Sequence, residues 1–308
     1  MDQDHTGIRI HEPARGRVAG DGIELAFGYW PGRGSPLVAL HGLTASHVCF
    51  YGLAERLAGR KPVFALDLRG RGDSDKPAGI YGMKQHAADV AAAMRAMGLG
   101  PSVIVGHSMG AFAAAALAEQ EPRLVAGLVL IDGGYAPAIA APTSQSGLDA
   151  ALALRIALLR QTYPSREAYR AFWRTQPHFP AADWGPWVEA FLDYELGGEP
   201  PHLRPKAAEE GVKADLMEGL QSEQIAERLR SVRVPLLMVR APAGFVPGQP
   251  PLFPGDMIER MRELVPHMED VLIPDTTHYT LVLAERGVAT LAGLVNDFAA
   301  RCETVPAA

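Results

Sequence analysis

The sequence has few cysteines, no long apolar run and no excess of positive charge. Its only cysteines, Cys49 and Cys302, lie far apart in 308 residues, which fits a reducing compartment and offers no spacing for a metal site. The most apolar window, residues 148–159, is too short for a membrane-spanning helix and contains Arg155. Residues 1–5 carry acid and lack an apolar core, so we expect no signal peptide there. We therefore predict a cytoplasmic protein without a membrane span.

The charge balance argues against nucleic acid as a partner. The chain carries 29 basic and 35 acidic residues, a formal net charge of −6, and it has no basic stripe. A hydrophobic fraction of 48% and a charged fraction of 21% are typical of globular proteins. The length allows one or two domains with a large core. We expect a small molecule as the partner, while the oligomeric state cannot be read from the sequence.

Short apolar runs alternate along the chain with longer segments of helical periodicity. Because the runs are rich in Val, Ile and Leu, they are typical of strands that are buried on both faces of a sheet. The pattern predicts an α/β fold with a mostly parallel central sheet flanked by helices. The expected strands are 23–29, 37–40, 63–66, 103–105, 128–131, 236–239 and 271–273, and the clearest expected helices are 83–97, 111–121 and 287–301.

The alternation breaks between about residues 136 and 232, a segment with helical patches and many aromatics. Three of the four tryptophans, Trp173, Trp184 and Trp187, lie in it. A gap this long between strands needs structure of its own, so we predict a core formed by 1–135 and 233–308 and an inserted helical cap at 136–232. The alternative is a set of ordinary sheet-flanking helices with aromatics in the core. With the cap, these tryptophans and Tyr279 become candidates for substrate contact.

A candidate nucleophile lies in the sequence Gly106-His107-Ser108-Met109-Gly110, between an apolar strand and an Ala-rich helix. A Gly-x-Ser-x-Gly turn in this context is tight and strained, and it lifts the serine hydroxyl above the sheet. The N–H of Met109 then points from the helix N-terminus toward an oxyanion formed there. The alternative is a Gly-rich turn whose serine only caps the helix.

With this motif, the chain resembles the α/β-hydrolase family over nearly its whole length. The segment Leu40-His41-Gly42-Leu43-Thr44 is similar to the family's segment after the third strand, and the resemblance implies that Leu43 supplies the second oxyanion-hole N–H. It also implies that His41 is structural. The loop 67–74 resembles the family's loop after the fourth strand, and we assign it to structure because its Gly and Asp residues suit a turn.

Serine at neutral pH needs an adjacent base, and His278 is the candidate among ten histidines. It follows the last expected strand by a short polar turn, so it lies at the carboxyl edge of the sheet with Ser108. The family places its base at this point, in the chain order serine, acid, histidine. The other histidines have less suitable places: His107 inside the turn, His5 and His11 in a polar lead-in, and His267 on or after a helix. A surface-loop histidine is the alternative for His278.

The orienting acid departs from the family's commonest pattern. Gly244 occupies the position after the seventh strand where Asp is usual. A minority arrangement places the acid after the sixth strand, where Asp132 follows an apolar run and precedes two glycines. That segment resembles thioesterase-type hydrolases, as does the His-aromatic-Thr sequence that begins at His278. We therefore predict that Asp132 orients His278, with a plain turn residue as the alternative.

Two other carboxylates are weaker candidates for that acid. Asp275 is too close in sequence to His278 to orient it easily. Asp256 follows a Pro- and Gly-rich stretch over 241–255, and with Glu259 it predicts a helix that begins at Asp256 with a capping box. Asp256 therefore has a structural explanation.

These assignments predict a serine hydrolase of carboxylic esters that acts through an acyl-enzyme, with Ser108, His278 and Asp132 as the catalytic residues and Leu43 and Met109 as the oxyanion hole. No metal or organic cofactor is expected. Thioester, lactone, amide or carbon–carbon bond hydrolysis would use the same residues, and a receptor with slow or no turnover is a further alternative. Epoxide opening and dehalogenation in this family generally use an Asp nucleophile, which argues against both.

Overall fold

The computed structural model describes residues 12–136, 145–218 and 222–303. His5 and His11, and the parts of the predicted cap at 137–144 and 219–221, lie outside the described residues. No helix in the described part of the chain is long and apolar enough to cross a membrane.

The centre of the molecule is an eight-stranded sheet in the order β1-β2-β4-β3-β5-β6-β9-β10. Strand β2 runs antiparallel to both its neighbours, β1 and β4, and the pairs from β4 to β10 are parallel. The predicted α/β fold with a mostly parallel sheet is confirmed. The strands are β1 (Ala14–Ala19), β2 (Glu24–Trp30), β3 (Leu37–Leu40), β4 (Val63–Leu66), β5 (Ser102–His107), β6 (Val125–Ile131), β9 (Leu236–Arg240) and β10 (Met268–Leu272), and a separate two-stranded ladder joins β7 (Leu196–Gly197) to β8 (Arg204–Pro205).

The central strands form where apolar residues run without interruption. Every residue of β3 and β5 is buried, as expected for strands covered by helices on both faces. Strand β1 was missed from the sequence because its residues, ARGRVA, are mostly exposed. It lies at the edge of the sheet, where only one neighbour and one face need to be satisfied.

Helices cover both faces of the sheet. Buried side chains of α2, α3, α8 and α9 share one core with the sheet, and those of α1, α10 and α11 share the other. Helix α9 begins at Gly255 after Pro254, without a side-chain cap, so the capping box predicted at Asp256 is wrong. The helices are α1 (Tyr51–Leu57), α2 (Met83–Ala96), α3 (Met109–Gln120), α4 (Gln145–Arg160), α5 (Arg166–Arg174), α6 (Pro186–Glu195), α7 (Glu209–Glu218), α8 (Ser222–Ser231), α9 (Gly255–Leu264), α10 (Thr280–Leu283) and α11 (Glu285–Glu303).

Residues 145–218, which we call the insert, lie in the chain between β6 and β9. The insert consists of α4–α7 and the β7–β8 ladder. The insert is fastened to the core by specific polar contacts. The Trp187 indole N–H donates to the Glu55 carboxylate at 2.9 Å, and Arg286 pairs with the buried Asp183. Helix α8, by contrast, packs against α3 and α9 in the core layer.

Candidate active site

Ser108 lies at a sharp turn between β5 and α3. Its backbone has φ 55° and ψ −120°, a region that costs a non-glycine residue free energy and is characteristic of functional sites. The flanking glycines are required by close packing. A Cβ on Gly110 would lie 2.0 Å from the Leu40 carbonyl oxygen, and one on Gly106 would lie 2.4 Å from the Gly110 carbonyl oxygen. The sequence therefore places a serine hydroxyl at the carboxyl end of a central strand.

Asp132 directly follows β6 and also has a positive φ, 46°. Its Oδ1 accepts a hydrogen bond from the Ala241 N–H at 3.3 Å, and its own N–H donates to the Val239 carbonyl at 2.8 Å. The next residue, Gly133, passes so close to Ser108 that a Cβ would lie 2.2 Å from the Ser108 carbonyl oxygen. The turn after β6 is thus packed onto the serine turn, and the carboxylate is buried beside it.

His278 lies between β10 and α10, and its ring is held by Asp132. Its Nδ1 is 2.8 Å from Asp132 Oδ2. Because an ionised carboxylate can only accept, Nδ1 carries the hydrogen and Nε2 of the neutral ring keeps its lone pair. The backbone is fixed as well: the His278 N–H donates to the Gly244 carbonyl at 2.9 Å, and the His278 carbonyl lies 3.0 Å from His107 Nε2.

Ser108, Asp132 and His278 line one cavity. The structure joins His278 to Asp132 directly, whereas no hydrogen bond between the Ser108 hydroxyl and the His278 ring is found among the described residues. Such bonds are often long in unliganded enzymes and tighten when substrate binds. Asp256 and Asp275 are not among the residues that line the cavity.

The two expected oxyanion donors, Leu43 and Met109, also line this cavity. His41 orients the peptide that carries the Leu43 N–H. The Leu68 N–H donates to His41 Nε2 at 2.9 Å, so Nδ1 bears the hydrogen and donates to the Gly42 carbonyl at 2.7 Å. That carbonyl and the Leu43 N–H belong to the same peptide unit. Burial lowers the pKa of His41 to about 4, which keeps the ring neutral as this pattern requires.

Arg71 supports the same loop from the other side. Its guanidinium is fully buried, donates to the Leu43 carbonyl at 2.9 Å and pairs with Asp215 of α7 at 2.6 Å. Asp215 is also 2.9 Å from His86 Nε2. Burial opposes ionisation of Asp215, but His86 and Arg71 outweigh it and lower its pKa to about 2. The sequence predicts a structural role for the loop 67–74. It does not predict that Arg71 of this loop connects Leu43 to Asp215 of the insert.

The cavity has a volume of about 370 Å³, and its walls are mostly apolar and aromatic. Trp173 and Tyr279, two of the four residues expected to contact substrate, line it. The other two are not among its lining residues: Trp187 is buried against Gly52 with its N–H on Glu55, and the Trp184 N–H donates to Glu189.

Three ionisable side chains that the sequence did not assign to the site also line the cavity: Arg155 of α4, Glu195 of α6 and Asp215 of α7, which pairs with Arg71. The Arg155 guanidinium carbon lies 5.8 Å from the centre of the Phe245 ring, and no described carboxylate forms an ion pair with it. The only signal in the sequence was that Arg155 interrupts an apolar run. Glu195 has no such signal.

Comparison with known proteins places the chain in a family. A family model described as the alpha/beta hydrolase fold matches residues 35–285. A 2-(acetamidomethylene)succinate hydrolase from Mesorhizobium japonicum is 30% identical over 249 residues, which cover 80% of this chain and 83% of the relative. An N-formylmaleamate deformylase from Pseudomonas putida is 30% identical over 269 residues, covering 86% and 90%.

A solved structure supports the same assignment. The crystal structure of an E-2-(acetamidomethylene)succinate hydrolase has a TM-score of 0.78 and 25% identity, and the match covers 93% of this chain and 98% of that chain. The resemblance expected from the sequence is confirmed. The chain belongs to the α/β hydrolase family, and its relatives support a hydrolase activity.

Proposed function

We propose that the protein is a serine hydrolase that cleaves a carboxylic ester through an acyl-enzyme intermediate. The observation that carries the proposal is the hydrogen bond between His278 and Asp132 at the cavity that Ser108 lines. It gives a buried imidazole one tautomer, with a lone pair on Nε2. A base of this kind is what a serine hydroxyl needs to become a nucleophile at neutral pH.

The proposed reaction has two steps. The Ser108 oxygen attacks the substrate carbonyl carbon while His278 Nε2 takes the hydroxyl proton, and the proton then passes to the leaving alcohol as the C–O bond breaks. Water, deprotonated by the same nitrogen, attacks the acyl-enzyme and releases the acid and Ser108. Asp132 holds the ring in its tautomer and stabilises the imidazolium.

The N–H groups of Leu43 and Met109 are proposed to stabilise the oxyanion in both steps. Met109 is the first residue of α3, so the helix dipole favours negative charge beside its N–H. His41 and Arg71 hold the carbonyls on either side of the Leu43 residue. Loss of one such donor costs about 10²–10³ in rate.

Amide hydrolysis is a second candidate, favoured by the relatives. Both relatives carry names that indicate a small substrate with an amide-type C–N bond and carboxylate groups. Arg155 places a cation without a described carboxylate partner in the wall of a mostly apolar cavity. A guanidinium in that setting favours a carboxylate on the ligand. We therefore propose that the substrate carries a carboxylate apart from the bond that is cleaved.

We also propose a role for the insert and a cellular compartment for the protein. We propose that the insert acts as a cap, because its residues Trp173, Phe179 and Phe191 form part of the cavity wall above the sheet. The two cysteines are free and buried, and we keep the prediction of a reducing compartment such as the cytoplasm.

The test is a substrate panel with acid-quench mass spectrometry. We expect turnover of 4-nitrophenyl esters, an acyl adduct on Ser108 in quenched samples, and neither in Ser108→Ala. Matched 4-nitroanilides, a thioester and a lactone of the same acyl group rank the bond types. If ligands bind but no ester, amide, thioester or lactone is turned over, the receptor alternative replaces the enzyme.

A further inference from the structure

Glu195 is a carboxyl group without a cation in the wall of the cavity. It ends α6, and the Tyr169 hydroxyl donates to its Oε2 at 2.9 Å. Its other carboxyl oxygen has no hydrogen-bond partner in the part of the chain that the structure describes, and no described Lys, Arg or His pairs with it. The residue is only half-buried and lines the cavity. The free oxygen is therefore a polar group without a protein partner at the binding cavity.

The surroundings of Glu195 keep its carboxyl group neutral. Burial raises the pKa of Glu195 to about 8 and outweighs the Tyr169 hydrogen bond, which lowers it. A carboxyl group that is protonated at neutral pH becomes a hydrogen-bond donor. Since the Tyr169 hydroxyl already donates to Oε2, the other oxygen can carry the acidic hydrogen and offer it to a ligand in the cavity that Glu195 lines.

The phenol and thiol groups near Glu195 stay uncharged near neutral pH. Burial raises the pKa of Tyr163 to about 12, and it also raises those of Tyr169, Cys49 and Tyr279. Three charged groups lie close to these residues. The Asp67 carboxylate also raises the pKa of the Cys49 thiol, and the Lys206 ammonium pairs with Asp73 at 2.7 Å. The backbone N–H of Lys206 donates to the Glu195 carbonyl.

Arg155 and Glu195 give the cavity two different polar groups. Besides burial, the Arg155 charge lowers and the Glu195 charge raises the pKa of Tyr279, so both act on the same part of the cavity. Arg155 is a permanent cation, whereas Glu195 is a neutral acid below about pH 8. The first suits a carboxylate, and the second suits any oxygen acceptor.

We propose that Glu195 is a specificity-determining residue that donates a hydrogen bond to an oxygen acceptor of the substrate, a second carbonyl or carboxyl group apart from the bond that is cleaved. This assignment rests on the proposed hydrolase function, because it concerns which substrates reach Ser108. A purely structural role is the alternative, in which the Tyr169–Glu195 hydrogen bond only fastens α5 to α6.

The experiment compares two 4-nitrophenyl esters of equal chain length, hexanoate and 5-oxohexanoate. The ketone supplies a neutral acceptor that does not depend on Arg155. The measured quantity is the ratio of kcat/KM for the oxo ester to that for the plain ester. An effect of pH on the chemical step that both esters share cancels in this ratio.

We expect wild type to prefer the oxo ester by about tenfold at pH 7, the value of one hydrogen bond to a buried partner. The preference should decline above about pH 8 as the carboxyl group ionises. Glu195→Leu should lose the preference, which the ratio records whatever the variant's absolute rate with the plain ester. Glu195→Gln, whose amide donates at every pH, should keep the preference without its decline. Tyr169→Phe removes the hydrogen bond but leaves the carboxyl group, and it should still prefer the oxo ester.

Each outcome separates the two claims. If neither ester acylates Ser108, the proposed function fails. If both are hydrolysed but the wild-type ratio is near one, or is the same in Glu195→Leu, the assignment of Glu195 is overturned. Equal losses for both esters in Glu195→Leu and Tyr169→Phe would establish the structural role instead. If Glu195→Leu does not fold, the wild-type and Glu195→Gln ratios against pH still decide.

Discussion

Among the buried histidine–aspartate pairs in the part of the chain that the structure describes, two join the aspartate to Nδ1 of the ring with almost the same geometry but have different surroundings. His278 Nδ1 lies 2.8 Å from Asp132, and His47 Nδ1 lies 2.8 Å from Asp67. The opposite ring nitrogen distinguishes them. His47 Nε2 is buried without a partner among the described residues, and the ring edge packs against Gly28. His278 shares a cavity with Ser108. We therefore propose that the surroundings of the second ring nitrogen, and not the histidine–aspartate pair alone, decide whether such a pair acts in catalysis.

The two carboxylates also have different numbers of partners. Besides the His47 ring, Asp67 accepts hydrogen bonds from the N–H groups of His47 and Asp73 and from the Tyr194 hydroxyl. Asp132 accepts only from His278 and the Ala241 N–H among the described residues. Asp67 holds the loop that contains Asp73 and binds the insert to it through Tyr194. The only side chain that donates to Asp132 among the described residues is the His278 ring.

The largest expected effect is that of Asp132→Asn on turnover. The amide can hold the imidazole in the wrong tautomer, and it cannot stabilise the imidazolium, so we expect kcat to fall by about 10³–10⁴. The melting temperature should change little. Steady-state kinetics with the 4-nitrophenyl esters and thermal unfolding measure both. Wild-type turnover in Asp132→Asn would contradict the proposal that Asp132, unlike Asp67, supports catalysis.

The matched change, Asp67→Asn, should act on stability instead. It replaces a buried carboxylate that accepts four hydrogen bonds, so we expect the free energy of unfolding to fall by about 3 kcal/mol. The kcat of the folded variant should stay within about threefold of wild type, because Asp67 touches neither Ser108 nor His278. Urea unfolding and kinetics below the melting range test this. A loss of kcat as large as that of Asp132→Asn would contradict the comparison.

The arginines near the two histidine–aspartate pairs differ in whether they have a carboxylate partner. Arg15 and Arg17, beside His47, are paired with Glu12, Glu24 and Asp75, whereas Arg155 lacks a described carboxylate partner. Arg155→Met should raise KM about 10- to 100-fold for an ester with a terminal carboxylate, the range for a buried charged hydrogen bond.

The control for Arg155→Met is the matched ester without the carboxylate, for which KM should stay nearly unchanged. Arg17→Met serves as the control variant, since it lies away from this cavity, and it should leave both KM values as they are. Equal increases for both esters in Arg155→Met would show that Arg155 only shapes the cavity.

The smallest expected effect is the pH dependence of the Asp67 contribution. Burial opposes ionisation, but the His47 contacts hold the pKa of Asp67 well below its usual range. A carboxyl group with a lowered pKa in the folded state stabilises fully above about pH 4 and loses that contribution as the pH falls further. The difference in unfolding free energy between wild type and Asp67→Asn should therefore be constant from neutral pH to about 5 and narrow below 4. A difference that widens in acid would reverse the sign of this argument.

The sequence predicted the parts of the site that depend on local pattern. Ser108 lies in a short motif with its strand and helix, and Asp132 and His278 follow recognisable strands, so the chain order placed them at one sheet edge. The apolar strands were found for the same reason. The family comparison confirms the fold class, and the catalytic roles remain predictions.

The features that the sequence did not predict depend on packing between distant segments. Arg155 and Glu195 reach the cavity because of how α4 and α6 lie over the sheet, and Arg71 meets Leu43 and Asp215 across three segments. Trp184 and Trp187 are of a residue type that often contacts ligands, but their indole N–H groups donate to Glu189 and Glu55. No local pattern contains this information.

The most direct measurement is the rate at which a fluorophosphonate labels Ser108 in wild type, Asp132→Asn and Asp67→Asn, followed by intact-mass and peptide mass spectrometry. We predict one adduct on Ser108 in wild type, labelling slowed at least about 100-fold in Asp132→Asn, and labelling within about threefold of wild type in Asp67→Asn. An adduct on another residue, or equal rates in wild type and Asp132→Asn, would contradict the account.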